Sequence, residues 1–106
     1  MATLSRNQIL QVSDLPRESV AVPEWGGDVF LRVLTGAEML SLSDLPKDQF
    51  GGALLTLALC DDGGSPLFNR DEVSVLMAKN HAVLGRLVSE AIRINRMQPE
   101  TAEKNS

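Results

Sequence analysis

Residues 17–34 decide the fold, and they read RESVAVPEWGGDVFLRVL. Apolar side chains alternate with their neighbours on both sides of the central PEWGG, so each half has the two-residue period of a strand. The link between the two halves, residues 23–28, is short and contains two glycines. A parallel crossover needs a dozen or more residues, so the sequence predicts an antiparallel hairpin.

One face of this hairpin carries apolar side chains on both strands. Two strands alone are marginal in water, so this face must pack against helices or against another chain. The residues that we assign to partner binding are Trp25 in the turn and, on this face, Val20, Val22, Val29, Leu31 and Val33.

Helix-start signals stand on both sides of the hairpin. Ser5 and Gln8 form a capping-box pattern, which predicts a short helix that ends before Pro16. Thr35 and Glu38 form a second capping box, which predicts another short helix directly after the hairpin.

Three more helices are predicted towards the C-terminus. The first covers about 46–60, where Gly51 and Gly52 indicate either a close helix contact or a late helix start. The second opens at Asn69 and ends near residue 80, and the third covers roughly 81–96 with a regular apolar stripe.

These elements predict a mostly helical α+β fold, with a short N-terminal helix, an antiparallel hairpin at about 17–34 and about four helices after it. The 106 residues are enough for one modest core. We therefore expect a single domain over residues 1–98. The polar, aperiodic residues 99–106 are predicted to form a disordered tail.

The composition argues against two classes of partner. The net charge of −4 gives no general attraction to phosphate backbones or anionic lipid, and an aromatic content of 4% leaves few rings to stack on bases. We find neither a signal-peptide layout nor a membrane-length apolar run, so we expect a cytoplasmic protein without nucleic-acid or membrane partners.

Cys60 and His81 are the only residues that suggest a nucleophile and a base. Cys60 closes an apolar stretch, where a small buried thiol is the usual occupant, and His81 falls at a helix start next to Asn80, where a capping role is expected. An enzyme using this pair is a weaker hypothesis, and we predict no catalytic residues.

Two glycine-containing segments have simple structural interpretations. Asp61 and Asp62 precede two glycines, but the spacing of an EF-hand loop is missing, so turn chemistry is the better explanation and we assign no metal. Gly26 and Gly27 lack the further glycines or lysine of a phosphate-binding loop, so we assign no cofactor. Trp25, beside them, is either a cap over the end of the hairpin or an exposed anchor for a partner.

The N-terminal third resembles a known family. The V-P-E-W-G-G element at 22–27 and the R-x-L-T-G-A-E element at 32–38 are similar to those of the tail assembly chaperones of long-tailed, siphovirus-type bacteriophages and their prophages. The order of later elements also fits, with an apolar helix ending at residues 59–64 and two closing helices over 69–95.

This resemblance implies a non-enzymatic, non-structural protein of the host bacterial cytoplasm that is absent from the mature virion. Its main partner would be the phage tape measure protein, which it would bind and keep soluble. It would also help to recruit the major tail protein, and several copies on one long client would allow self-association. A frameshifted longer product would join near residue 99.

Two other functions remain open from the sequence. One is a structural head–tail or tail-tube component of the virion. The other is the small enzyme that uses Cys60 and His81.

Overall fold

The computed structural model describes residues 2–97, so the tail predicted at 99–106 lies outside the described residues. Two 3-10 turns, Pro23–Trp25 and Arg70–Glu72, interrupt eight regular elements. These elements are α1 (Arg6–Gln11), β1 (Arg17–Val22), β2 (Gly27–Arg32), α2 (Gly36–Ser43), α3 (Lys47–Ala58), β3 (Leu59–Cys60), α4 (Val73–Leu76) and α5 (His81–Ile94). The predicted α+β class, with a hairpin followed by four helices, is confirmed.

The strands form one antiparallel sheet in the order β1-β2-β3. Val20 pairs with Val29 in the predicted hairpin, and Phe30 pairs with Cys60 across to β3. The expectation of a helix as far as Cys60 was wrong, because the chain becomes extended at Leu59, which pairs with Leu31. Strand pairing with β2 therefore overrides the local helical pattern at this point.

The capping boxes at Ser5 and Thr35 form the expected hydrogen bonds, and at Asn69 the backbone N–H donates to the Glu72 carboxylate (3.0 Å). The hydroxyls of Ser5 and Thr35 accept from backbone N–H groups three residues on, and Asn69 opens the turn that leads into α4. The helix expected to end near residue 80 is shorter than predicted. Backbone bonds over three residues, such as Lys79 N–H to the Leu76 carbonyl, tighten the chain after α4 into turns.

α3 is the central helix, and it packs against both α4 and α5. Gly52 lies inside it, and a Cβ at this position would stand 2.9 Å from Cγ1 of Val73. A larger residue would push α4 away, so the close-contact interpretation of the glycine pair is correct for Gly52.

The core is aliphatic and joins the hairpin to α3 and α5. Val22 and Leu31 are fully buried in it, together with Leu54 and Leu87. The apolar face of the hairpin therefore packs on the helices of its own chain. None of the helices within residues 2–97 has the length and apolar character needed to cross a bilayer.

Candidate partner-binding groove

An apolar groove of about 480 Å³ opens between the closed end of the hairpin and α4. We call it the hairpin groove. Leu59 and Leu76, both buried, form its floor, whereas Leu67 at its wall is half exposed. Its lining residues are Trp25, Val29, Leu59, Leu67, Phe68, Leu76 and Lys79.

Trp25 stands at the rim of this groove with 39% of its surface exposed, so it is neither a buried cap nor fully in solvent. The 3-10 turn that carries it closes with a bond from Gly26 N–H to the Pro23 carbonyl (3.0 Å). Gly26 has a φ of 81°, a left-handed conformation that favours glycine.

A second contact ties the turn to α5. The two terminal nitrogens of Arg86, Nη1 and Nη2, donate to the Glu24 carboxylate, each at 2.9 Å. These bonds hold the pKa of Glu24 at about 2, well below its ordinary value. The residue next to Trp25 is thus fixed to α5.

The opposite wall of the groove follows the turn after β3. The Asp61 carboxylate accepts from the N–H groups of Gly63 and Ser65, both at 2.9 Å, which confirms the predicted turn. Leu67 N–H then donates to the Leu59 carbonyl (3.1 Å) and places Leu67 and Phe68 beside β3. Within residues 2–97 no group of three potential metal-ligating side chains is found.

The structure separates the six residues that we assigned to partner binding. Trp25 and Val29 come together in the hairpin groove. Val22 and Leu31 are buried in the core and Val20 is half buried, packed against it. Partner binding through these side chains remains a prediction.

Val33, the sixth of these residues, lies elsewhere. It lines a separate depression of about 440 Å³ beside the end of α5, where Arg17, Arg93 and Asp14 also lie. The charged surroundings of this depression differ from those of the apolar hairpin groove.

Sequence reasoning missed most of the groove. Leu59 and Leu76 belong to different elements, and periodicity does not reveal which helix face meets which strand. Leu67 and Phe68 did leave a signal, since two large apolar residues directly follow a polar turn at 61–66.

Cys60 and His81 have different environments. Cys60 is 1% exposed, and burial raises the pKa of its thiol, whereas reactive thiols are accessible and have a lowered pKa. His81 is exposed as the first residue of α5, but the capping expected of it is performed by Asn80, whose side chain accepts from the N–H groups of Ala82 and Val83.

The described residues form a small α+β domain with an open apolar groove. No protein-family model matches the sequence, and no curated protein matches it either. Among solved structures, the tail assembly chaperone of bacteriophage HK97 is similar to this chain, with 28% sequence identity and a TM-score of 0.63. The match covers 83% of this chain and 90% of that chain, so the protein has the fold of a phage tail assembly chaperone.

Proposed function

We propose that this protein is a non-enzymatic tail assembly chaperone of a long-tailed, siphovirus-type phage or prophage. The observation that carries the proposal is the likeness to the HK97 tail assembly chaperone over 90% of that chain, because it includes nearly the whole domain and not one shared motif. The 28% identity over the same region adds sequence evidence to the agreement in fold.

The client in this proposal is the phage tape measure protein, which the chaperone keeps soluble while the tail tube assembles. The hairpin groove supports such a role, because an apolar groove can receive the apolar face of a client helix. Trp25 at the rim has the size and partial exposure of an anchor residue.

Recruitment of the major tail protein, action in the host cytoplasm and absence from the mature virion belong to the same proposal. The net charge of −4 is consistent with a client that is neither nucleic acid nor membrane.

Co-expression tests this function. The chain is produced with the tape measure protein encoded in the same genome, and the soluble fraction and the co-purified complex are measured. We expect the chaperone to raise the soluble yield of the tape measure protein and to co-purify with it. A client that stays insoluble and does not co-purify would contradict the proposal.

A matched pair of variants assigns the binding surface. Leu67→Glu places a charge in the groove wall, and Leu40→Glu places one on α2 at a position that is also exposed. We expect at least a tenfold loss of co-purified client with Leu67→Glu and little change with Leu40→Glu. If both variants retain the client equally, the client binds outside the hairpin groove.

Mass spectrometry of purified virions separates the chaperone from the structural alternative. A chaperone is expected in the lysate and missing from virions. A stoichiometric presence in the tail would favour a head–tail or tail-tube component.

A further inference from the structure

β1 is an edge strand, because the strands of the sheet follow the order β1-β2-β3. Val33 N–H donates to the Pro16 carbonyl (2.9 Å), and positions bonded in this way alternate along an antiparallel pair. Counted from Pro16, the positions of β1 that bond to β2 are therefore the even-numbered ones. The residues between them direct their backbone N–H and C=O groups to the free edge, and they are Arg17, Ser19 and Ala21.

The described residues leave this edge open. No backbone hydrogen bond from another element within residues 2–97 reaches its outward groups, and all three residues that carry them are exposed. Edge strands are usually protected by proline, lysine or a bulge. β1 contains neither proline nor lysine and pairs with β2 residue for residue. Its two charged residues lie at one end, where Arg17 donates to the Asp62 carbonyl (2.6 Å) and Glu18 pairs with Arg93.

We propose that the free edge of β1 is a second binding site, where an extended segment of a partner protein adds as a fourth strand. The segment lies antiparallel to β1 and carries an acidic residue at its C-terminal end. Only an extended backbone presents donors and acceptors at the two-residue spacing of the outward groups. The small side chains of Ser19 and Ala21 leave room for the neighbouring strand.

The acidic end follows from the charges beside the start of β1. The depression of about 440 Å³ described above is lined there by three arginines, Arg17, Arg93 and Arg96, and by two acids, Asp14 and Glu18. Arg93 already pairs with Glu18, whereas Arg96 forms no ion pair with another described residue. The C-terminal end of an antiparallel fourth strand reaches this depression, so a carboxylate on it meets a positive surface.

The backbone at Arg96 gives independent support. Met97 N–H donates to the Ile92 carbonyl (3.0 Å) and Arg96 N–H to the Arg93 carbonyl (3.1 Å), which is the Schellman pattern at the end of α5. Arg96 occupies the left-handed position of this pattern with a φ of 55°, where glycine is usual. The chain thus has a guanidinium where backbone geometry favours glycine, which indicates a use for the side chain.

This site goes beyond the chaperone role proposed above and does not depend on it. The hairpin groove suits the apolar face of a helix, whereas the edge of β1 suits an extended segment, so the two surfaces take partners of different secondary structure. A second copy of β1 does not meet the same requirements. Paired antiparallel with the first, it would bring its apolar end, residues 20–22, to Arg17 instead of an acid.

Amide hydrogen exchange, measured residue by residue by NMR on the full chain, tests the site with defined peptides. The probe is the acetylated and amidated peptide TVTVTDE at millimolar concentration. The control is the same peptide with N-methyl groups on alternate residues, prepared in both registers. We expect TVTVTDE to slow exchange at Arg17, Ser19 and Ala21 at least threefold, and the N-methylated peptides to slow none of them. Unchanged exchange with TVTVTDE would overturn the proposal.

A peptide of opposite charge, TVTVTKR, tests the acidic end. We expect it to bind the wild type at least threefold more weakly than TVTVTDE. Arg96→Gly suits the left-handed backbone, so it should preserve the fold and yet remove the difference between the two peptides. Arg70→Gln, at an exposed arginine in the turn before α4, is the matched control and should keep the difference. Equal affinity of the two peptides for the wild type would overturn the contact with Arg96.

Ser19→Pro removes only an outward N–H, and proline is accepted in an edge strand where its nitrogen faces solvent. We expect unchanged circular dichroism and loss of peptide protection, whereas Ser19→Thr should retain it. The N-methylated peptides make the same test on the unaltered chain. Protection of the edge that appears on raising the protein concentration without peptide would assign it to a second copy and overturn the proposal. No arm contains the tape measure protein, so a failed co-expression would contradict only the chaperone function.

Discussion

The guanidinium of Arg32 and the carboxylate of Glu38 form a two-pronged ion pair across the turn between β2 and α2. The Nη1–Oε1 and Nη2–Oε2 distances are 2.9 and 2.7 Å. Arg32 is buried, and Glu38 also accepts the Thr35 N–H of the capping box at 2.9 Å. One carboxylate thus neutralises a buried cation and closes the start of α2.

Glu38→Gln is expected to destabilise the protein by about 2 kcal/mol, because it removes the charge that compensates a buried guanidinium. Urea unfolding measures the loss. The matched control is Glu18→Gln, which affects the exposed pair with Arg93 and should cost less than about 1 kcal/mol. Equal losses in the two variants would contradict the special role of the buried pair.

The ion pair between Arg32 and Glu38 also makes the stability of the protein depend on pH. Hydrogen bonds from Arg32, with help from Thr35, lower the pKa of Glu38 from 4.5 to about 2. Because the pKa of Glu38 is lower in the folded state than in the unfolded state, its ionised carboxylate stabilises the folded protein at pH values above about 4.5. This contribution is lost as the pH falls from about 4.5 towards 2. The difference in free energy of unfolding between the wild type and Glu38→Gln should therefore be largest at pH 6 and decrease as the pH falls through that range. A difference that stays constant down to pH 2.5 would contradict the lowered pKa of Glu38.

Gly52→Ala should cost about 1–3 kcal/mol, since the new Cβ would meet Val73 Cγ1 at 2.9 Å and Met77 at 3.1 Å. Gly85→Ala is the matched change in α5, where the Cβ meets nothing within 4 Å. Removing that glycine should stabilise the protein by about 0.5–1 kcal/mol. The melting temperatures of the two variants should thus move in opposite directions from that of the wild type. Stabilisation of both would show that helix propensity outweighs the contact at Gly52.

The helix starts could be predicted from sequence because capping is local. The bonds at Ser5, Thr35 and Asn69 join atoms only three residues apart, so the residues that form them are adjacent in the sequence. The hairpin was predictable for the same reason, since a short link fixes the pairing of Val20 with Val29.

Features that depend on distant residues were not predictable in this way. β3 exists because Phe30 and Leu31 offer backbone partners to Cys60 and Leu59, a pairing across about 30 positions of chain. The groove has the same origin, because its floor joins β3 to Leu76 on α4. Hydrophobic periodicity identifies which side chains are buried, but it does not identify their neighbours.

Cys60 should resist a water-soluble thiol reagent in the native protein. It is 1% exposed and its pKa is raised, so little thiolate is accessible. We expect labelling at least a hundredfold slower than in the urea-unfolded chain, with the rate rising as unfolding begins. Fast native labelling would instead revive the hypothesis of an enzyme that uses Cys60 and His81.

Trp25 is the only tryptophan in the chain, so its fluorescence reports on the rim of the hairpin groove. Arg86→Gln removes the charged partner that holds Glu24, and acrylamide should then quench Trp25 more strongly than in the wild type. Arg93→Gln also breaks exposed ion pairs on α5, with Glu18 and Glu90, and should leave quenching unchanged. Both variants should unfold at nearly the same urea concentration as the wild type, because exposed pairs contribute little to folding. If Arg86→Gln increases quenching and the two variants are equally stable, the Glu24–Arg86 pair positions Trp25 at the rim of the groove. If the two variants are quenched equally, the turn at Gly26 alone positions Trp25.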